Sequence, residues 1–197
     1  MTTAATPVPA HGRALVSAFP QPPDEVREAL EAMETMRKGK PDEIELLGDS
    51  DNLPVPWSPT TCPPETRQQL WLWCDDVAGW INSHYMWRTA SMIPACWPRH
   101  RHICQELPVL ACLHFDALSS TSPELLEDWH RQSLPLFLER MATRLGESSC
   151  RSNHDEWPAR ARYTTFTSEK AVQERHDLFH ADTHPPVALN GPRLVRA

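Results

Sequence analysis

Residues 65–92 read ETRQQLWLWCDDVAGWINSHYMWRTASM, and this stretch decides the fold. It holds four of the eight tryptophans, three of which, Trp73, Trp80 and Trp87, recur every seven residues. Leu70, Val77 and His84 repeat at the same spacing, so one face of a single long helix is apolar along its length. A stripe of indoles has to be covered by other elements, and the chain supplies two amphipathic helices directly afterwards. The pattern predicts an all-α protein: a small antiparallel bundle of three main helices with disordered N- and C-terminal tails.

Prolines mark the helix boundaries. Pro63 and Pro64 precede the central helix, where proline is tolerated. Pro94 predicts that this helix stops at Ile93. Pro98 opens a second helix running to about Leu118, with Ile103, Leu107, Leu110 or Ala111, His114 and Leu118 turned inward. Pro108 lies inside it and predicts a kink or break. Ser122-Pro123-Glu124 is a clear helix start, a hydroxyl followed by proline and an acid. The third helix carries Leu126, Trp129, Phe137, Met141 and Leu145, is interrupted by Pro135, and stops at Gly146. Trp157 is expected to fold back onto the bundle.

Composition sets the domain limits. All eight tryptophans lie between Trp57 and Trp157 and all six cysteines between Cys62 and Cys150, while eleven of the twenty prolines fall in the first 64 residues. The expected organisation is a disordered, Pro-rich acidic arm (1–64), a Trp-rich helical core (65–160), and a marginal helix over 168–179 with a flexible tail (161–197). The arm contains one short helix, residues 23–38, with acids in its first turn and Arg37 and Lys38 in its last. Its thin apolar stripe, Val26, Leu30 and Met33, reads either as the face of a short helix lying on the core or fraying in solution, or as the candidate partner-binding face.

The formal charge of −7 argues against broad binding to DNA or to an anionic membrane. No window reaches eighteen uninterrupted apolar residues and no segment reads as a secretory signal, so a cytoplasmic protein without membrane contact is expected. Its six cysteines are then reduced thiols. The signatures GxSxG, GxxxxGK[ST], HExxH and GxGxxG are absent. With only six glycines there is little to build a phosphate-cradling loop, and a non-enzymatic protein is expected.

Two Cys-x3-His pairs carry the clearest chemistry. Cys96 and His100 sit at the start of the second helix, Cys150 and His154 after the third. Antiparallel helices would bring these ends together as a tetrahedral Cys2His2 site, for which zinc is the natural ion. His102 and Cys104 are spare ligands nearby. No motif requires any other cofactor. The competing reading makes the cysteines small buried apolar residues.

The dense basic run, Arg99-His100-Arg101-His102, could hold a phosphate at the helix N-terminus, with Trp97 stacking on a base; the competing reading is a solvated helix end with Trp97 turned inward. His176, His180 and His184 share a face of the tail helix and read as solvated.

The order Tyr85-x-Trp87, Cys96-Trp97-Pro98-x-His100, Glu106-Leu107 through Leu110 to Ala117, Trp129-His130, and Gly146 followed by Cys150 resembles a family of uncharacterised actinobacterial proteins. That family is common on plasmids, integrative elements and phages and has no established activity. In this chain His114 and Phe115 stand where its second helix usually carries tryptophans. The resemblance implies a mobile-element accessory protein that binds a protein partner, with no catalytic residue to carry over. The alternative expectation is a zinc-stabilised nucleic-acid-binding domain.

Overall fold

A computed structural model describes residues 15–49, 52–146, 150 and 153–184, and among these every regular element is helical. Seven helices follow in order: α1 (Asp24–Lys38), α2 (Pro41–Leu47), α3 (Pro64–His84), α4 (Arg101–Ser119), α5 (residues 124–145), α6 (Arg160–Phe166) and α7 (Glu169–Thr183). The chain divides into two compact units, the first ending at His154 and the second beginning at Asp155.

In the first unit α4 packs against both α3 and α5. The core joins Leu70, Trp73, Val77 and Ile81 of α3 to Ile103, Leu107, Leu110 and Ala111 of α4 and to Trp129, Leu134, Phe137 and Met141 of α5. The buried Trp129 indole N–H donates to the carbonyl of Leu110, while Arg140 and Arg144 reach back to Glu106. Partners therefore move up α5 as they move down α4, so the two helices are antiparallel.

The expected three-helix bundle is too small a description. Residues 15–49 and 52–64 do not form a free arm. α1 packs on α3 and buries Val26 and Ala29, and Phe19 lies in the core against Trp73, Trp80 and His114. The indoles explain why this segment docks, since a covered indole N–H needs an acceptor. Trp73 donates to the carbonyl of Pro20 and Trp80 to that of Ser17. Disorder expected at 1–14 and 185–197 lies outside the described residues.

The central helix ends at His84 and not at Ile93, which takes Trp87 off the stripe and leaves it 97% exposed. Asn82 accounts for the shortening. Its side-chain amide donates to the carbonyl of Ile93 and accepts from that residue's N–H, both at 2.9 Å. Each bond is worth about 1 kcal/mol net, and burial of Ile93 adds roughly 2 kcal/mol. Together they fold residues 85–93 back under the helix end.

Other boundaries shift for similar local reasons. The second helix starts at Arg101, after a 3-10 turn at Trp97–Arg99 and an extended His100. It runs unbroken through Pro108 and buries Ala117 in place of the expected Leu118, which is exposed. The third helix is not interrupted at Pro135 either. A π turn at Trp129–Ser133 precedes the proline, with the N–H of Leu134 bonded to the carbonyl of Trp129. The wider turn absorbs the donor that Pro135 lacks and brings Leu134 into the core. Gly146 ends α5 at φ +76°, as expected of a terminating glycine.

The second unit has no buried side chain among its described residues. α6 was not expected. Trp157 is 52% exposed, and its ring lies 5.2 Å from that of Tyr163 of its own unit, tilted by 49°. Ser168 caps α7 by accepting from the N–H of Ala171.

His114 is the buried polar residue of the core, 4% exposed, with a covered Nδ1 that has no hydrogen-bond partner. Its ring lies 4.0 Å from Phe19 and 4.4 Å from Trp129. Burial, helped by the neighbouring charge of His130, holds its pKa down to about 4. Unfolding restores a value of about 6.5, so the unfolded chain binds more protons between these limits. Stability is therefore full above about pH 6.5 and falls as pH drops towards 4, by roughly 3 kcal/mol. Urea unfolding of chelator-treated protein at pH 7 and pH 4.5 should show this loss, and His114→Leu should remove most of it. An unchanged pH slope in the variant would place the linkage elsewhere.

Candidate metal centre

Two local features of the backbone present the ligands. The 3-10 turn before α4 carries Cys96 as its preceding residue and His100 as the one that follows. Extended His100 separates this turn from α4, so its imidazole leaves the chain beside the helix N-terminus. On the other side Cys150 has φ +57°, the positive value that non-glycine residues avoid. Such a conformation persists where surrounding contacts impose it, and it is frequent at functional sites.

These features converge. Cys96 Sγ lies 3.4 Å from His100 Nε2, Cys150 Sγ lies 3.3 Å from the same nitrogen, and Cys150 Sγ lies 3.8 Å from His154 Nδ1. All four ligand atoms fall within 4.8 Å of one another, close enough to hold one metal ion. The His100 and His154 rings stand 4.9 Å apart at 64°, edge to face, so that both nitrogens reach one point without the rings overlapping. All four residues are half-buried.

Burial pushes the Cys96 thiol up, and its hydrogen bond with Cys150 adds to this. Burial lowers His100, with further repulsion from His154 and His102. At Cys96 and His100 both directions favour the neutral thiol and imidazole, and a divalent ion would supply the charge that stabilises thiolate.

What brings the segment after α5 to the turn before α4 is Glu106. Its carboxylate accepts from Arg140 Nε at 2.7 Å and from Arg144. Burial raises the Glu106 pKa, but the two guanidinium groups outweigh it and leave the carboxyl below its ordinary value. The pair thus persists at neutral pH and is lost only as pH falls through that lowered value.

No family model, curated protein or solved structure matches the chain.

The remaining candidate residues lie outside this cluster. Trp97 is 3% exposed, its indole N–H donates to Asp75 at 2.8 Å, and its ring rests against Trp71. It offers no face to a base. Arg99 and Arg101 are exposed. Cys104 is no spare ligand, because its thiol donates to the carbonyls of Pro98 and Trp97. His102 stands 5.9 Å from the His100 ring with a covered Nε2 that has no hydrogen-bond partner. Val26 is fully buried and Leu30 packs on the core, so the stripe expected to meet a partner is largely taken up by the protein itself. Met33 remains half-buried.

Sequence reasoning missed a histidine and tyrosine pair at the π turn. Tyr85 Oη lies 3.0 Å from His130 Nε2, above the Trp80 and Trp129 rings. The order Tyr85-x-Trp87 and Trp129-His130 named both residues without joining them.

Glu106→Gln should weaken metal binding several-fold while costing the core about 1 kcal/mol or less, because Arg140 and Arg144 are nearly half exposed. Competition of the variant against a chromophoric chelator for Co2+ measures the first quantity, and urea unfolding of the metal-free protein the second. Equal losses in both would mean that Glu106 holds the fold and not the centre.

Proposed function

We propose that the first unit is a zinc-stapled helical scaffold, non-enzymatic, that presents its surface to a protein partner. The observation that carries this reading is the spacing of the four ligand atoms. Zinc bonds of about 2.3 Å to sulfur and about 2.0–2.1 Å to nitrogen place neighbouring sulfur and nitrogen about 3.6 Å apart around a tetrahedron. The three measured spacings, 3.3, 3.4 and 3.8 Å, straddle that value. Two thiolates with two imidazoles favour zinc over the hard cations magnesium and calcium, which take oxygen.

Four protein ligands close the coordination sphere. A catalytic zinc keeps a position for water or substrate, and this set leaves none. The ion's role is then mechanical: it ties Cys150 and His154 to the turn before α4.

Exposed Leu72 on α3 and Val109 and Leu113 on α4 give the scaffold apolar surface for a partner. No helix among the described residues is long and apolar enough to cross a membrane, and thiols kept for a metal suit the reducing cytoplasm. Work as a mobile-element accessory is supported by the motif order from Tyr85 to Cys150 alone. Nucleic acid as the partner is the weaker reading, because burial of Trp97 leaves it with the guanidinium groups of Arg99 and Arg101.

Elemental mass spectrometry of tag-free protein should find about one zinc per chain, lost in Cys96→Ser and Cys150→Ser. With free zinc at about a thousand times Kd, linkage contributes about 4 kcal/mol, so chelation should lower Tm by roughly 10 °C. Helicity should survive, since the core around Leu70, Leu107 and Phe137 includes none of the four ligands. Metal-free protein that takes up no zinc would make the centre a set of packed thiols and imidazoles.

A further inference from the structure

Cys96 and Cys150 bring two sulfurs within 4.8 Å of each other, and the other four cysteines are arranged differently. Cys62, Cys74 and Cys112 are buried, and burial raises each of their thiols. Cys104 is half-buried and its thiol is spent on backbone carbonyls. Peroxide reacts with thiolate that it can reach. In this chain the residues that meet both conditions are the two half-buried cysteines whose thiolates a metal would stabilise.

Resting on the zinc reading above, we propose that Cys96 and Cys150 are a peroxide-sensitive modification site, oxidised to a disulfide with release of the metal. One thiolate attacks hydrogen peroxide, breaks its O–O bond and becomes a sulfenic acid, releasing hydroxide. The second thiolate attacks that sulfur and displaces another hydroxide, forming the Cys96–Cys150 S–S bond. The two sulfurs together lose two electrons, the peroxide gains them, and two protons from solvent turn both hydroxides into water. Disulfide sulfur carries no charge, so only the imidazoles of His100 and His154 remain, and zinc departs.

The geometry gives the reaction a particular outcome. A disulfide between these residues replaces one staple with another: residue 150 stays tied to the turn before α4, while His154, the last residue of the first unit, is let go. The site would therefore report oxidation by freeing the end of the unit without dismantling its core.

The test uses zinc-loaded full-length protein and hydrogen peroxide at one to five equivalents. Released zinc is read with a chromophoric chelator, thiols by alkylation, and cross-links by peptide mass spectrometry. The expected result is one zinc released per disulfide, a fall from six thiols to four, and one cross-linked peptide pair joining Cys96 to Cys150. A thiol reductant should restore six thiols and zinc binding. Thiols lost while zinc stays bound, a cross-link between other cysteines, or sulfinic acid at a single cysteine would each overturn the proposal. Protein that carries no zinc before peroxide is added, and takes up none, instead overturns the metal reading, a result visible before oxidation begins.

Discussion

The first unit depends on the burial of α4. Eight of its residues, from Ile103 to Ala117, are closed off from solvent, which is more than one neighbouring helix can cover. A helix with so wide an apolar face needs partners on two sides, and α3 and α5 provide them. The short connection from Ser119 to residue 124 then makes α5 antiparallel to α4. Its far end, with Arg140 and Arg144, is carried back to Glu106 near the start of α4. The metal ligands lie just beyond those two ends, so their convergence is a consequence of packing before it is a matter of coordination.

The helices were legible in the sequence because their signals are local. Apolar spacing, the Ser122-Pro123-Glu124 start and Gly146 all act within a turn or two of themselves. The errors come from contacts between residues distant in sequence or from side chains bonded to backbone. A seven-residue repeat cannot show that Asn82 will hold Ile93 and leave Trp87 outside. Nor does the run Arg99 to His102 reveal that Trp97 beside it has a carboxylate waiting at Asp75. The stripe on α1 looked thin because the indoles of Trp73 and Trp80, which draw residues 17–20 onto α3, lie more than fifty residues away.

The candidate centre was legible in part for the same reason. Each Cys-x3-His pair is a local pattern, and its ligand types speak for themselves. Their meeting needed α5 to remain one continuous helix past Pro135, which propensity alone argued against. The π turn at Trp129–Ser133 resolves that conflict by moving the hydrogen-bond register before the proline. The helix therefore continues to Leu145, far enough to deliver Cys150 to His100. A residue that reads as a breaker is accommodated by one wide turn, and the geometry of the centre rests on that accommodation.

The two units differ in what holds them. The first has a packed core and, beside it, the candidate cluster of Cys96, His100, Cys150 and His154, with Cys150 at positive φ and His100 extended. The second has short helices, a capping Ser168 and exposed rings, with Arg175 lying 4.1 Å over Phe166, and no buried side chain among its described residues. Helices of seven and fifteen residues gain little from propensity and local pairs alone. The order of these helices therefore has small reserves. His154, the last residue of the first unit, is one of the candidate ligands, and the packed core of α3, α4 and α5 includes none of the four.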